Sequence, residues 1–143
     1  MKVDTSEVTA NLDSLSIELR LALRDGLERY CMLIRDQARQ LISQAPKHVD
    51  TGALRASITY SVEDSLHGEV YTNTPYAIYV HQGTGLYATE GTHAKRIPWK
   101  YYDERRGEWK WTSGITPNPF MKNARDICDN DSYKAECFKG VLE

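Results

Sequence analysis

From Asp4 to Gln44 the chain sets apolar residues at three- and four-residue intervals: Leu12, Leu15, Leu19, Ala22, Leu23, Leu27, Tyr30, Ile34, Ala38, Leu41 and Ile42. That period is one face of an α-helix, and it predicts a single amphipathic helix over roughly 4–45. Asp4 with Glu7 three residues on offers a capping-box start, and Pro46 supplies the stop, because its ring pushes the residue before it out of helical geometry. At ~1.5 Å per residue such a helix approaches 60 Å, longer than the core that about a hundred further residues can build. Part of it must project or find a partner. Gly26 is the weak point, where the alternative is two helices folded back on each other, but one helical glycine costs only ~1 kcal/mol.

After the polar link Lys47-His48-Val49, Asp50 or Thr51 can cap a two-turn helix running to Ser57. The period then changes to two. Ile58, Tyr60 and Val62 alternate with polar residues, Ser65 to Gly68 makes a turn, and Glu69 to Thr72 resumes the alternation, so an antiparallel hairpin is expected. Thr74 as cap and Pro75 at the first position suit a short helix over Tyr76–Gln82, ended by Gly83, with its apolar face on the sheet. Residues 84–95 read as a loop, and 97–112 as a second, aromatic hairpin around Asp103-Glu104-Arg105-Arg106-Gly107. Met121 to Ile127 begins a last helical stretch, interrupted at Asp129–Ser132 and resumed from Tyr133. The expected fold class is α+β: a long N-terminal amphipathic helix on a small antiparallel β-sheet, with short helices and a C-terminal helix. One domain is expected over 1–143, divided into the helix (1–45), a β-rich body (46–127) and a helical tail (128–143).

Charge excludes one broad class of function. The formal net charge is −2, and the arginines of the long helix alternate with acids, so no basic surface of the kind that neutralises phosphates is visible. No apolar run approaches ~20 residues and no apolar leader follows Met1, so a soluble, cytoplasmically made chain without a membrane span is expected. Three cysteines, Cys31, Cys128 and Cys137, with no Cys-x-x-Cys pair, suggest neither a disulfide framework nor zinc.

The residues that carry chemistry elsewhere are poorly arranged for it here. His48, His67, His81 and His93 form no His-x-x-x-His pattern, and three of them fall in turns or loops. No Gly-x-Ser-x-Gly elbow is present, and Cys31 sits within the helix, where a buried inert thiol is expected. Glu63-Asp64 and Asp103-Glu104 lie at hairpin turns and read as ordinary surface acids. No catalytic, metal or cofactor-binding residues are assigned. The alternatives from other classes are a small hydrolase or nuclease using His81, His93 or the Asp50 region, and a generic coiled-coil interaction module.

Three segments point more sharply: Asp50-Thr51-Gly52-Ala53-Leu54-Arg55-Ala56-Ser57-Ile58, then Tyr76-Ala77-Ile78-Tyr79-Val80-His81-Gln82-Gly83-Thr84, then Pro119-Phe120-Met121. Their order and spacing resemble the HK97 gp10-like tail-completion and neck proteins of tailed phages, across roughly residues 10 to 127. Two departures stand out: Lys47-His48-Val49 lengthens the link after the proline, and His81-Gln82 stands where the family often has Glu followed by an aromatic. On this resemblance Asp50, Thr51, Gly52, Leu54, Arg55, Ser57, Tyr76, Ala77, Tyr79, Val80, Gly83, Thr84, Pro119 and Phe120 are the family-motif and candidate interaction residues.

The resemblance implies a structural protein of the virion, located at the head–tail interface and working by binding, without reaction or cofactor. It implies a ring of identical subunits, often six, around the DNA conduit. The implied partners are other copies of the chain, a tail-tube or tail-terminator protein, and a head-completion or stopper protein. DNA would pass through without specific binding.

Overall fold

The structure, a computed structural model, describes residues 6–44, 51–91 and 96–141, with side chains of the first helix from Ser16 onward and of Thr51 only the backbone. The expected cap at Asp4, the stop at Pro46, and Asp50 all lie outside these residues.

Helix α1 runs through Ser6–Gln44 without a break at Gly26. The glycine is kept for packing: a Cβ there would lie 2.7 Å from Cε1 of Phe138 and closer still to Cδ1 of that ring. Among the described side chains of α1, the buried ones lie in its C-terminal part, from Gly26 onward. Ala38 and Ile42, one turn apart, are buried against α2 (Thr51–Ser57), α3 (Ala77–Gln82) and α4 (Phe120–Cys128), in a cluster with Leu54, Ile58, Ala77, Phe120 and Ala124. Ile34, Leu41, Val70, Tyr76, Val80 and Met121 pack around its rim. Earlier on the helix, Tyr30 meets Phe138 beyond α5 (Asp131–Cys137), and Arg29 Nε donates to the Cys137 carbonyl at 2.7 Å. Cys31, Cys128 and Cys137 are buried free thiols, each pushed up in pKa by that burial. A thiol so shifted is a small hydrophobe rather than a nucleophile.

The two expected hairpins form two separate two-stranded antiparallel sheets. β1 (Thr59–Val62) pairs antiparallel with β2 (Gly68–Tyr71), Tyr60 opposite Val70, and this hairpin lies on α1. There Gly68 is required by close approach, since a Cβ would sit 2.7 Å from the Cys31 sulfur. β3 (Trp99–Asp103) pairs with β4 (Glu108–Thr112), Tyr102 opposite Trp109, and this second hairpin is tied to the body at its base rather than laid on the core.

α3 also differs from expectation at its start. It begins at Ala77, whose amide donates to the Thr74 carbonyl at 3.1 Å, and its N-cap, Tyr76, makes no side-chain capping bond. The Thr74 hydroxyl donates instead to Ser57 Oγ at 2.7 Å. Within α3, Ala77 and Val80 face the Phe120-centred core, and His81 packs edge-on against the Phe120 ring at 5.5 Å.

Candidate interaction surface

The three motif segments, distant in sequence, converge on one core. Leu54 and Ile58 from the first, Ala77 from the second and Phe120 from the third are all buried together, with Tyr76 and Val80 beside them. Pro119 is the half-buried N-cap of α4, and the Asn118 amide before it donates to the Val80 carbonyl at 2.9 Å, joining the second segment to the third. Arg39, on α1, binds the first segment by donating from Nη2 to the Ile58 carbonyl at 2.6 Å.

Hydroxyls carry a further link that the spacing of the motifs did not announce. Ser57 Oγ donates to the Leu54 carbonyl at 2.7 Å, so its single proton is used; Thr72 at 2.6 Å and Thr74 at 2.7 Å must then donate to it. The end of α2 is thereby fixed to the end of β2.

Gly83 and Thr84 form a clamp with residues 113–115. The Thr84 amide donates to the Ile115 carbonyl at 2.9 Å, the Ile115 amide is shared between the Thr84 carbonyl and hydroxyl, and the Leu86 amide donates to the Ser113 carbonyl at 2.8 Å. Thr84 is buried. Gly83, Gly85 and Gly114 all have positive φ, and a Cβ on any of them would collide with backbone across the clamp. This clamp holds the base of the aromatic hairpin. The sequence signal for it was Gly83-x-Gly85 with Gly114, which reads as a helix end and a loop until the partner strand is known.

The motif residues that face outward are few. Gly52 is exposed, and Arg55 is exposed with its Nη1 donating to Ser43 Oγ at 3.0 Å. Both line a polar groove of about 590 Å³ between α1 and α2, with Asp36, Arg39 and Gln40. Tyr79 is exposed beside Ile78.

Of the histidines, His48 and His93 lie outside the described residues. His67 is held by Asp64, whose carboxylate accepts the Leu66 amide at 2.7 Å, the His67 amide at 2.9 Å and the imidazole Nδ1 at 3.0 Å. Asp64 is therefore not an ordinary surface acid: the Leu66 amide and then the imidazole hold its pKa below the usual range, while Asp64 raises that of His67. Asp103 is lowered too, chiefly by the Lys110 ammonium at 2.8 Å. Both acids stiffen hairpin turns. Among the described residues no three His, Cys, Asp or Glu side chains are grouped to hold a metal ion, and no helix is long and apolar enough to cross a membrane.

Among the described residues, two of the groups of exposed apolar side chains lie on α1 and on the second hairpin. One is the N-terminal half of α1, where Ile17, Leu19 and Leu21 are exposed. The other is one face of the β3–β4 hairpin, where Tyr102 (48 %), Trp109 (61 %) and Trp111 (67 %) are exposed beside Lys100. Side chains in a two-stranded ribbon alternate between faces, so the opposite face holds the Asp103–Lys110–Glu108 ion group. Monomeric proteins rarely leave such patches open, and their usual role is binding another protein.

A family model of bacteriophage HK97-gp10-like tail components matches residues 6–83, from the start of α1 to the clamp glycine. Among curated proteins and among solved structures, none matches the chain. The matched stretch is more than half of the 143 residues and contains the first converging segment and the second up to Gly83, and the protein belongs to the HK97-gp10-like family of phage tail components.

Proposed function

We propose that this tail component acts in the neck of the virion, joining tail to head as a homo-oligomeric ring around the DNA conduit, through contacts with copies of itself, a tail-tube or tail-terminator protein and a head-completion or stopper protein. The observation that carries the reading is the division of labour in the fold. The motif residues whose side chains are described are mostly consumed in one core and one clamp, while Ile17, Leu19 and Leu21 of α1 and the aromatic face of the second hairpin are exposed. A structural subunit needs such surfaces; a ring shares them between neighbours. The near-neutral charge, −2 over the chain, suits a wall that DNA slides past without being gripped.

The exposed motif residues Arg55 and Tyr79 are the positions of the motifs assigned to contacts outside the chain, with Arg55 suited to a partner carboxylate. The test is loss of the protein from the particle. Particles assembled without it should accumulate as separate filled heads and tails, and electron microscopy of normally joined, infectious particles would overturn the neck role.

A further inference from the structure

The groove between α1 and α2 holds two guanidinium groups that no acid neutralises among the described residues. Asp36, Arg39, Gln40 and Ser43 stand at i, i+3, i+4 and i+7 on α1, so all four line one wall. The facing wall is α2, with Gly52, Arg55 and Ala56, all exposed.

Each guanidinium is positioned by a neutral oxygen. Half-buried Arg39 donates from Nη2 to the Ile58 carbonyl, and its buried Nε has no acceptor. Ser43 Oγ gives its one proton to the Arg39 carbonyl at 2.9 Å and accepts Arg55 Nη1 at 3.0 Å, which steers Arg55 before anything binds. Neither arginine has an ion-pair partner among the described residues. Asp36 is the one acid among the lining residues, and Arg35 holds it through both Nε and Nη2 at 2.8 Å. With that pair cancelled, the described lining carries two positive charges and no counter-charge. A half-buried guanidinium met only by a carbonyl is incompletely compensated, and a carboxylate is the group whose two oxygens match its fork.

We propose that this groove takes an acidic side chain, Asp or Glu, presented by another protein of the virion. The site deepens, and rests on, the reading of Arg55 as a contact outside the chain: Arg39 makes it a two-arginine receptor. A volume of about 590 Å³ admits a short peptide segment rather than a lone ion, and exposed Gln40 offers an amide to the segment's main chain. In a chain of net charge −2 no basic track leads to or from the groove, which suits an acid on a protein rather than a phosphate backbone.

Titration of the full chain, followed by nuclear magnetic resonance at the arginine Nε–H signals, tests this. A capped peptide alternating glycine with glutamate should shift the Arg39 and Arg55 signals to saturation, and the same peptide with glutamine should not. Arg39 also holds Ile58, so the substitutions fall on Arg55, whose side chain bonds only Ser43. Arg55→Gln should weaken the acidic peptide about tenfold or more, and Arg55→Lys should restore only part of the loss, because an ammonium lacks the fork. Inorganic phosphate bound as tightly as the peptide would overturn the proposal in favour of a general anion site. Peptide binding gained by Asp50→Asn where the wild type has none would overturn it too, since the occupant would be the chain's own acid. Loss of wild-type self-association in sedimentation on Arg55→Gln would overturn it in favour of a second copy. A wild type that binds no acidic peptide overturns the groove and leaves the neck role standing, which the joining of heads to tails tests separately.

Discussion

His81 shows how a single residue ties the second motif to the third. Its ring lies edge-on to Phe120, and burial there pushes the imidazole pKa down, with Lys122 lowering it further and Glu90 opposing. The folded chain therefore holds His81 neutral where the unfolded chain, with an imidazole near pH 6.5, is protonated. The unfolded state binds more protons in the window from the folded pKa up to about 6.5, so stability rises with pH across it and falls as pH drops below about 6.5. His81→Leu should remove that part of the dependence, seen as a smaller difference between urea midpoints at about pH 5 and about pH 8 than in the wild type. Gly85 is the other critical residue. Its φ is +64°, and a Cβ would lie 2.7 Å from the Ser113 carbonyl carbon, with the oxygen nearer still. Left-handed strain alone costs ~1–2 kcal/mol for a residue other than glycine, so Gly85→Ala should lower unfolding free energy by about 2 kcal/mol or more in urea titration.

Among the elements, α1 sets two rules against each other at Gly26. Helix propensity alone favours Gly26→Ala by ~1 kcal/mol. The methyl would enter the space of the Phe138 ring, and overpacking of that kind typically costs about 1–3 kcal/mol. The second effect is the larger, so Gly26→Ala should destabilise the protein, and adding Phe138→Ala should recover part of the loss; calorimetry of the single and double variants decides this. α5 depends on its cap as well. Asn130 Oδ1 accepts the Tyr133 amide at 3.0 Å, and the Lys134 ammonium reaches Asp129 across the same turn. Asn130→Ala should cost about 1 kcal/mol.

At the scale of the whole molecule, stability is concentrated at one end of the long helix. Amide hydrogen exchange on the isolated chain at low concentration should show α1 protected around Ala38 and Ile42, inside the core, and fast over residues 6–22, where the described side chains have no buried contact. Substituting exposed Trp109 or Trp111 should change the unfolding free energy of the monomer by no more than about 0.5 kcal/mol, since surface positions rarely do more.

The sequence by itself determined the elements. A stripe with period 3.6 made α1 legible from Leu12 to Ile42, alternation made both hairpins legible, and the breaks at Gly83 and Asp129 ended helices where they were read. The motif segments were legible as a family resemblance because each holds residues of fixed chemistry at fixed spacing. Only the tertiary structure decided that those segments meet, with Leu54, Ile58, Ala77 and Phe120 in one cluster, since burial depends on contacts that no local pattern encodes. It also decided that Gly83-x-Gly85 clamps Ile115, that Asp64 and His67 are a bonded pair, and that the two hairpins are separate ribbons. The reason is the same in each case: period reports which face of an element is apolar, while what covers that face is settled by chain elsewhere. For α1 the cover thins along the helix, and among its described side chains Ile17, Leu19 and Leu21 are left exposed.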